Sequence, residues 1–428
     1  MRPRKSNNKN QEMNTKTVVV QRHMWFDEKE LRLTFPESWE VVTCLMKGHK
    51  APRITTNQIS AAFENPVGSP RLGELARGKN KVAVIFDDIS RPTRVADLIP
   101  YVLKELEHAG ISEQAIRFIC ASGAHGAHSY QDFRKKLGQK IMDGFPVYNH
   151  NIYENCSYVG QTSQGTPISV NSEVMSCDLK IGIGSVIPHP QSGFGGGGKI
   201  VLPGIAFIDS IEAFHRLEIK ARESGLVDKV GPGNYVENPM VKDFNEAARM
   251  IGLNFKIDTI VNGNGEPCTI FAGEPEAEYF EAVKFAVKHY DTKPVSGTDI
   301  AVVNTCSKGS EGIVGLIIGI QMLMEKGGDL VLIMDCPSGQ VVHYLLGSFG
   351  TEARGRLFSA LNFKLPWLKR FVVLSPQFES SMTDWMAIPD TIWVKSWREA
   401  IDILKQDFPG AARAAVVPDG TIQYLSLS

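Results

Sequence analysis

Residues 81–120 read KVAVIFDDISRPTRVADLIPYVLKELEHAGISEQAIRFIC. The stretch opens on a β-branched, apolar run at 81–86 and passes through a polar loop. It continues into an apolar-periodic segment at 96–108, and a second apolar run follows at 115–120. Strand, loop, helix and strand in that order make a βαβ unit, and repeated units of this kind build a parallel sheet. Residues 179–183 (LKIGI) give a further strand. A second series follows at 299–303, 329–334, 371–374, 391–394 and 414–417, with helical stretches between most of them. The expected fold class is α/β, with two domains, each a mostly parallel sheet flanked by helices, and the active site in the cleft between them. Two runs near the start, 17–21 and 31–35, are expected to add edge strands.

A chain of 428 residues is too long for one core. The helical period over 275–290 meets the breaker PVSG at 294–297, which places a boundary near 290 with that helix as a hinge. The expected partition is a disordered extension at 1–16, an N-terminal domain at 17–290 and a C-terminal domain at 291–428. The opening MRPRKSNNKNQEMNTK lacks the apolar segment of a secretory signal, and Met13 is a candidate start. A formal net charge of −1 gives no electrostatic reason to expect nucleic acid or an anionic membrane as partner. The longest apolar runs, as at 313–324, are interrupted by glycine and fall short of a membrane span. Seven scattered cysteines without a CxxC pair point to reduced thiols and a cytoplasmic setting.

Three loops follow predicted strands directly. The first is DDISRPTR, with Asp88 and Arg91. The second is SGAHGAH, with His125 and His128. The third is GSVIPHPQSGFGGGGK, with His189 and Lys199. In open α/β sheets ligands bind beyond the carboxyl ends of the strands, so one crevice would collect all three loops.

The four glycines Gly195, Gly196, Gly197 and Gly198 before Lys199 suggest a backbone nest for an anion, with a nucleotide-type phosphate as the expected occupant. A flexible turn is the plain alternative. The spacing fails the Walker pattern at Ile200, and no GxGxxG follows the first strands. His215 shares the apolar helical face of Ile208 and Ile211. A lone histidine there is ordinarily a core residue, but sixteen positions after the lysine it falls on the face toward the loop.

DxxR after one strand, GAH after the next, HP–x8–K in a glycine-rich loop and a histidine sixteen residues past the lysine together resemble the nickel-pincer lactate racemase family. The resemblance is densest between 80 and 216 and runs from about residue 17 to the C-terminus. It implies a racemase or epimerase of a 2-hydroxy acid, with 17–290 binding the cofactor and 291–428 closing over the substrate. The cofactor would be a nickel-pincer nucleotide, a pyridinium mononucleotide with thioamide and thiocarboxylate arms that hold nickel. Protein made without the enzymes that build this cofactor, which would be transient partners, is expected to lack it.

By the same resemblance Lys199 would be joined to the cofactor through the thioamide and His215 would coordinate nickel. Ser90 and Gly195 to Gly198 would contact the nucleotide, and Asp88 would bond its ribose or orient the arginine. A phosphate counter-charge is the alternative for Lys199, and Asp87 competes with Asp88. C2 hydride would pass to the pincer and return to either face of a planar 2-keto intermediate. An acid/base group is therefore needed on each side, assigned to His125 and His189. Arg91 would grip the substrate carboxylate. His128 has no matched role.

The match changes at the substrate wall. The family's Tyr, Gln and Lys positions fall near Val314, Gly315 and Ile318, all apolar, and Lys308, Ser310 or Glu311 are the candidate replacements. The substrate is therefore lactate or a longer or bulkier 2-hydroxy acid. Two other readings stand beside this one. One is a metal-dependent hydrolase or lyase using His125, His128 and His189. The other is a non-enzymatic ligand-binding homologue. Self-association is left open.

Overall fold

The computed structural model describes residues 15–27, 30–345, 365–378, 388 and 390–426. The expected disordered extension at 1–16 lies almost wholly outside them. Two six-stranded sheets carry the architecture.

The first sheet has the order Pro267–Gly273, Phe255–Val261, Leu179–Ser185, Val82–Asp87, Ile116–Ala121 and Val147–Asn149. Its neighbours are parallel except at the Pro267–Gly273 edge. Every residue of Val82–Asp87 is buried. Side chains alternate between faces with period two, so Val82, Val84 and Phe86 enter one core while Ala83 and Ile85 enter another. Burying each large apolar side chain stabilises by about 1.5–3 kcal/mol. The helix Val95–His108 bridges two of these strands. Its buried Val95, Leu98, Ile99, Val102 and Leu106 recur at helical spacing, and Gly110, at φ +82°, turns the chain out of it. The helices Ile208–Glu223, Pro239–Ile251 and Pro275–His289 cover the opposite face.

The second sheet is parallel throughout, in the order Ile392–Val394, Leu368–Leu374, Gly328–Ile333, Ile300–Asn304, Arg413–Val417 and Glu40–Thr43. The helix Leu316–Leu323 packs one face and the helix Trp397–Asp407 the other. Two sequence expectations need correction here. Thr15–Gln21 and Glu30–Pro36 pair only with each other, as a separate hairpin, and are not sheet edges. The hairpin packs Val20, Leu33 and Phe35 into the second sheet's core. Glu40–Thr43 is an edge strand of that sheet, so residues assigned from sequence to the 17–290 domain sit with 291–428. Four residues, EVVT, carry no address, because parallel pairing across the length of the chain leaves no local signature.

Among the described residues no helix is long and apolar enough to cross a membrane. All seven cysteines are free thiols.

Candidate active site

Val82–Asp87, Ile116–Ala121 and Leu179–Ser185 are parallel neighbours, so their carboxyl ends share one edge of the first sheet. A cavity of about 770 Å³ opens there. Asp88, Arg91, His125, His189, Lys199 and His215 line it from the first sheet's side. Lys308, Glu311 and His343 line it from the second's. The three strand-end loops thus converge, as their positions after strands suggested.

Asp88 is turned toward histidine. Its Oδ2 lies 2.5 Å from His125 Nδ1 and 3.3 Å from His128 Nε2, and its Oδ1 accepts from the Ser90 amide at 2.9 Å. On the far side of the ring, His125 Nε2 lies 2.9 Å from Glu311 Oε1. An imidazole held between two carboxylates is stabilised as the cation. Burial alone would lower its pKa, but Asp88 and Glu311 outweigh burial and raise it to about 9. In return His125, with His128, holds the Asp88 carboxyl well below the usual range, and Arg91 and then His125 do the same for Glu311. The neighbouring Asp87 is engaged elsewhere, paired with the buried Lys136 at 2.7 Å and bonded to Thr93. His128, without a role from sequence, proves to be a neighbour of Asp88.

His189 is the electrostatic opposite. Burial and the positive charges of Lys199, Lys308 and Arg91 hold its pKa well below the ordinary value, so the ring is neutral. Its Nδ1 accepts from the backbone amides of Gln191 and Ser192, both at 3.2 Å, which places the ring proton on Nε2. One histidine is therefore charged and the other neutral.

His215 lies on the helix Ile208–Glu223, where Nδ1 donates to the Ile211 carbonyl four residues back at 2.7 Å. Burial lowers its pKa to about 4, so the ring is neutral and its unshared pair is on Nε2. Lys199 has no hydrogen-bond or ion-pair partner among the described residues. Burial, then the charges of Arg91 and Lys308, lower its pKa to about 7. A polar loop end and an apolar-faced helix have thus delivered an amine and an imidazole lone pair to the same cavity.

The glycine run is used differently from the expected phosphate cradle. A Cβ on Gly196 would come within 2.5 Å of Val186, one on Gly197 within 2.7 Å of the Tyr279 ring, and one on Gly198 within 2.5 Å of the Phe244 carbonyl. Gly196 and Gly197 also have φ of +94° and +54°. The Gly197 amide donates to Asp258 Oδ2 at 2.6 Å, so that donor is spent within the protein. The backbone is bare chiefly because the protein's own core closes on it. Of the four, Gly195 and Gly196 face the cavity. Ser90 does not line it. Its hydroxyl bonds Asp88 and accepts from Arg91 Nη1 at 2.7 Å.

Arg91 also pairs directly with Glu311 Oε2. Of the three positions aligned with the family's polar wall, Val314 faces the cavity while Gly315 and Ile318 are packed in the second sheet's core. Sequence reading missed His343, whose ring centroid is 5.5 Å from that of His125. It lies ten residues past the strand Gly328–Ile333, so the strand-end rule that found the other loops would have reached it. Among the described residues no group of three or more His, Cys, Asp or Glu side chains has an arrangement that could hold a metal ion.

Residues 26–226 match the lactate racemase N-terminal domain family. The chain is 26% identical over 291 residues to a lactate racemase of Thermoanaerobacterium thermosaccharolyticum, the alignment covering 66% of each chain. It is 31% identical over 246 residues to one of Lactiplantibacillus plantarum, covering 57% of this chain and 56% of the other. The alignments thus span just under two thirds and just over half of these relatives. The fold is similar to that of the lactate racemase apoprotein from T. thermosaccharolyticum, with a TM-score of 0.71 at 20% identity, over 96% of this chain and 100% of that one. A Thermotoga maritima protein gives a TM-score of 0.61 at 19% identity, covering 85% and 100%.

Proposed function

We propose that this chain is an isomerase that inverts C2 of a 2-hydroxy acid with a nickel-pincer nucleotide held through Lys199, a reading that its similarity to lactate racemases supports. The observation that carries this reading is a pair of nitrogens in one cavity, the Lys199 amine and His215 Nε2, that have no partner among the described residues.

The residues present fit the group. An amine with a pKa of about 7 is substantially uncharged at neutral pH and free to be acylated, unlike an ordinary lysine. A neutral imidazole whose other nitrogen is tied to a carbonyl is oriented as a metal ligand should be, and imidazole suits nickel. Gly195 and Gly196 leave uncovered backbone on the same wall. When bound, the group supplies an acceptor and donor of the C2 hydride.

What the chain's own side chains do follows from their charge states. His125 enters protonated, oriented by Asp88, and donates from Nε2 once Glu311 yields that atom. His189 enters neutral on the other side. Its Nε2 already carries the ring proton, so to act as base there it must release Nδ1 from the 191–192 turn and shift that proton onto Nδ1. A charged and a neutral histidine form the acid and base that inversion needs, and each round exchanges their roles. The second sheet's residues over the cavity would exclude water during the step.

Two measurements test the reading. Protein made together with the cofactor-building enzymes should carry nickel and show a mass increase on the Lys199 peptide. It should also racemise at least one enantiopure 2-hydroxy acid by chiral chromatography. Loaded protein that leaves every such acid unchanged would refute it.

Asp88→Asn is expected to lower kcat by about 10²–10⁴-fold, the usual worth of a positioned acid. The sign for pH is fixed. Removing the Asp88 charge favours neutral imidazole, so His125 titrates below its native value of about 9 and activity is lost at lower pH on the alkaline side. An unmoved alkaline limb would exclude His125 as the acid.

A further inference from the structure

Arg91 and His125 are the residues that would hold the carboxylate and hydroxyl of a 2-hydroxy acid, yet one internal carboxylate already bridges them. Glu311 places Oε2 on the Arg91 guanidinium and Oε1 on His125 Nε2 at 2.9 Å. It stands in a stretch of 3₁₀ turns, Cys306–Gly315, at a residue whose backbone leaves the helical region (φ −119°, ψ 40°). Lys308 shows the same departure (φ −126°, ψ 49°). Both kinks turn long side chains into the cavity from a segment that would otherwise be covered.

Lys308 is only 1% exposed, and among the described residues its ammonium has no hydrogen-bond or ion-pair partner. Glu311, Asp419 and Asp88 act on it only through space, and a buried ammonium lacking a direct partner is costly unless a ligand supplies one. Arg91 is neutralised by Glu311, and Lys199 is committed to the cofactor. Lys308 is therefore the cation left for a substrate anion. Beyond it, Ile313, Val314, Ile317 and Ile320 are half-buried and form an apolar wall of the same cavity.

Resting on the racemase reading, we propose that Lys308 takes the substrate carboxylate in this chain and that Glu311 keeps Oε2 on the guanidinium throughout, only its Oε1 leaving His125 during the reaction. The substrates are then 2-hydroxy monocarboxylic acids with a branched or aromatic side chain that fills the 313–320 wall. Glu311 works as a specificity residue by repulsion. It denies a second carboxylate to dicarboxylic hydroxy acids, and lactate leaves the apolar wall empty.

The test has two arms. In the first, protein without cofactor is titrated calorimetrically at neutral pH with 2-hydroxy-4-methylpentanoate, 3-phenyllactate, lactate and malate. The first two should bind more tightly than the last two. Lys308→Met should weaken the branched acid at least about tenfold, the worth of one charge-assisted hydrogen bond. Lys308→Arg should restore part of it, which separates lost charge from lost folding. Glu311→Gln should release Arg91 and tighten malate by about tenfold. In the second arm, loaded enzyme should show the same order in kcat/KM, with the Lys308→Met effect mainly in KM.

The proposal is overturned if Lys308→Met leaves binding unchanged while Arg91→Met weakens it, because Glu311 would then be a displaceable gate. Equal binding of all four acids, or of none, also overturns it. Failure of the racemase reading appears separately, as loaded protein that inverts no acid whatever the binding order.

Discussion

Replacing Lys199 by alanine is expected to leave protein co-produced with the cofactor-building enzymes at its unmodified mass and to reduce turnover to the uncatalysed background. The informative comparison is Lys199→Arg. Guanidinium keeps the positive charge at every accessible pH and cannot present the uncharged nitrogen that an acyl bond needs. If Lys199 were a counter-charge to phosphate, arginine would preserve a substantial part of the activity. If it is the tether, arginine is as inactive as alanine. The native amine is suited to the second role because burial, together with Arg91 and Lys308, brings its pKa to about 7. Removing the positive neighbour in Lys308→Met should raise that pKa and slow acylation at acidic pH. Intact mass of protein loaded at several pH values reads this without any turnover assay.

Asp258→Ala is expected to cost about 3–5 kcal/mol, the usual consequence of removing one partner of a buried ion pair. Asp258 and Lys256 are both fully enclosed, with Oδ1 2.5 Å from the ammonium. Oδ2 accepts the Gly197 amide. Nearby, burial and the Asp258 charge push the Glu278 carboxyl well above the usual range; removing Asp258 lifts only the second cause, and burial still opposes ionisation of Glu278. Alanine thus leaves an uncompensated ammonium and an unpaired amide in the core. Urea unfolding should show the loss directly. Asp258→Asn keeps an acceptor for the amide and should recover part of it. Pairing Asp258→Leu with Lys256→Met should recover more, since no charge is then stranded. A double variant no better than Asp258→Ala would mean that the amide bond, not the ion pair, carries the stability.

Much of this arrangement was legible in the amino-acid order. The runs at 81–86, 115–120 and 179–183 read as strands because each is apolar on both faces, and the strand-end rule then assembled Asp88, Arg91, His125, His189 and Lys199. Other features were hidden for physical reasons. The strands Phe255–Val261 and Pro267–Gly273 contain Lys256, Asp258 and Thr269, so their periodicity is broken by a buried ionic pair that only tertiary contact explains. Sequence cannot distinguish a backbone bared for a ligand from one bared for Tyr279 and the Phe244 carbonyl, which is why the core contacts of Gly197 and Gly198 were hidden. Glu311 was a candidate for substrate contact, but its hold on both Arg91 and His125 depends on two non-helical residues within 306–315.

The placement of Glu40–Thr43 beside Arg413–Val417 bears on how the molecule is made. During synthesis on the ribosome the outermost strand of the second sheet emerges early, and its partner arrives almost last. Ser38 and Gly410, hydrogen-bonded at 2.8 Å, are 372 positions apart. The nascent chain must carry an unpaired strand through translation of the whole first sheet. A fragment beginning near 291 would expose the Arg413–Val417 edge to any passing chain. Recombinant pieces of this protein should therefore be cut so that residues 15–43 travel with the C-terminal half, by covalent fusion or by co-expression.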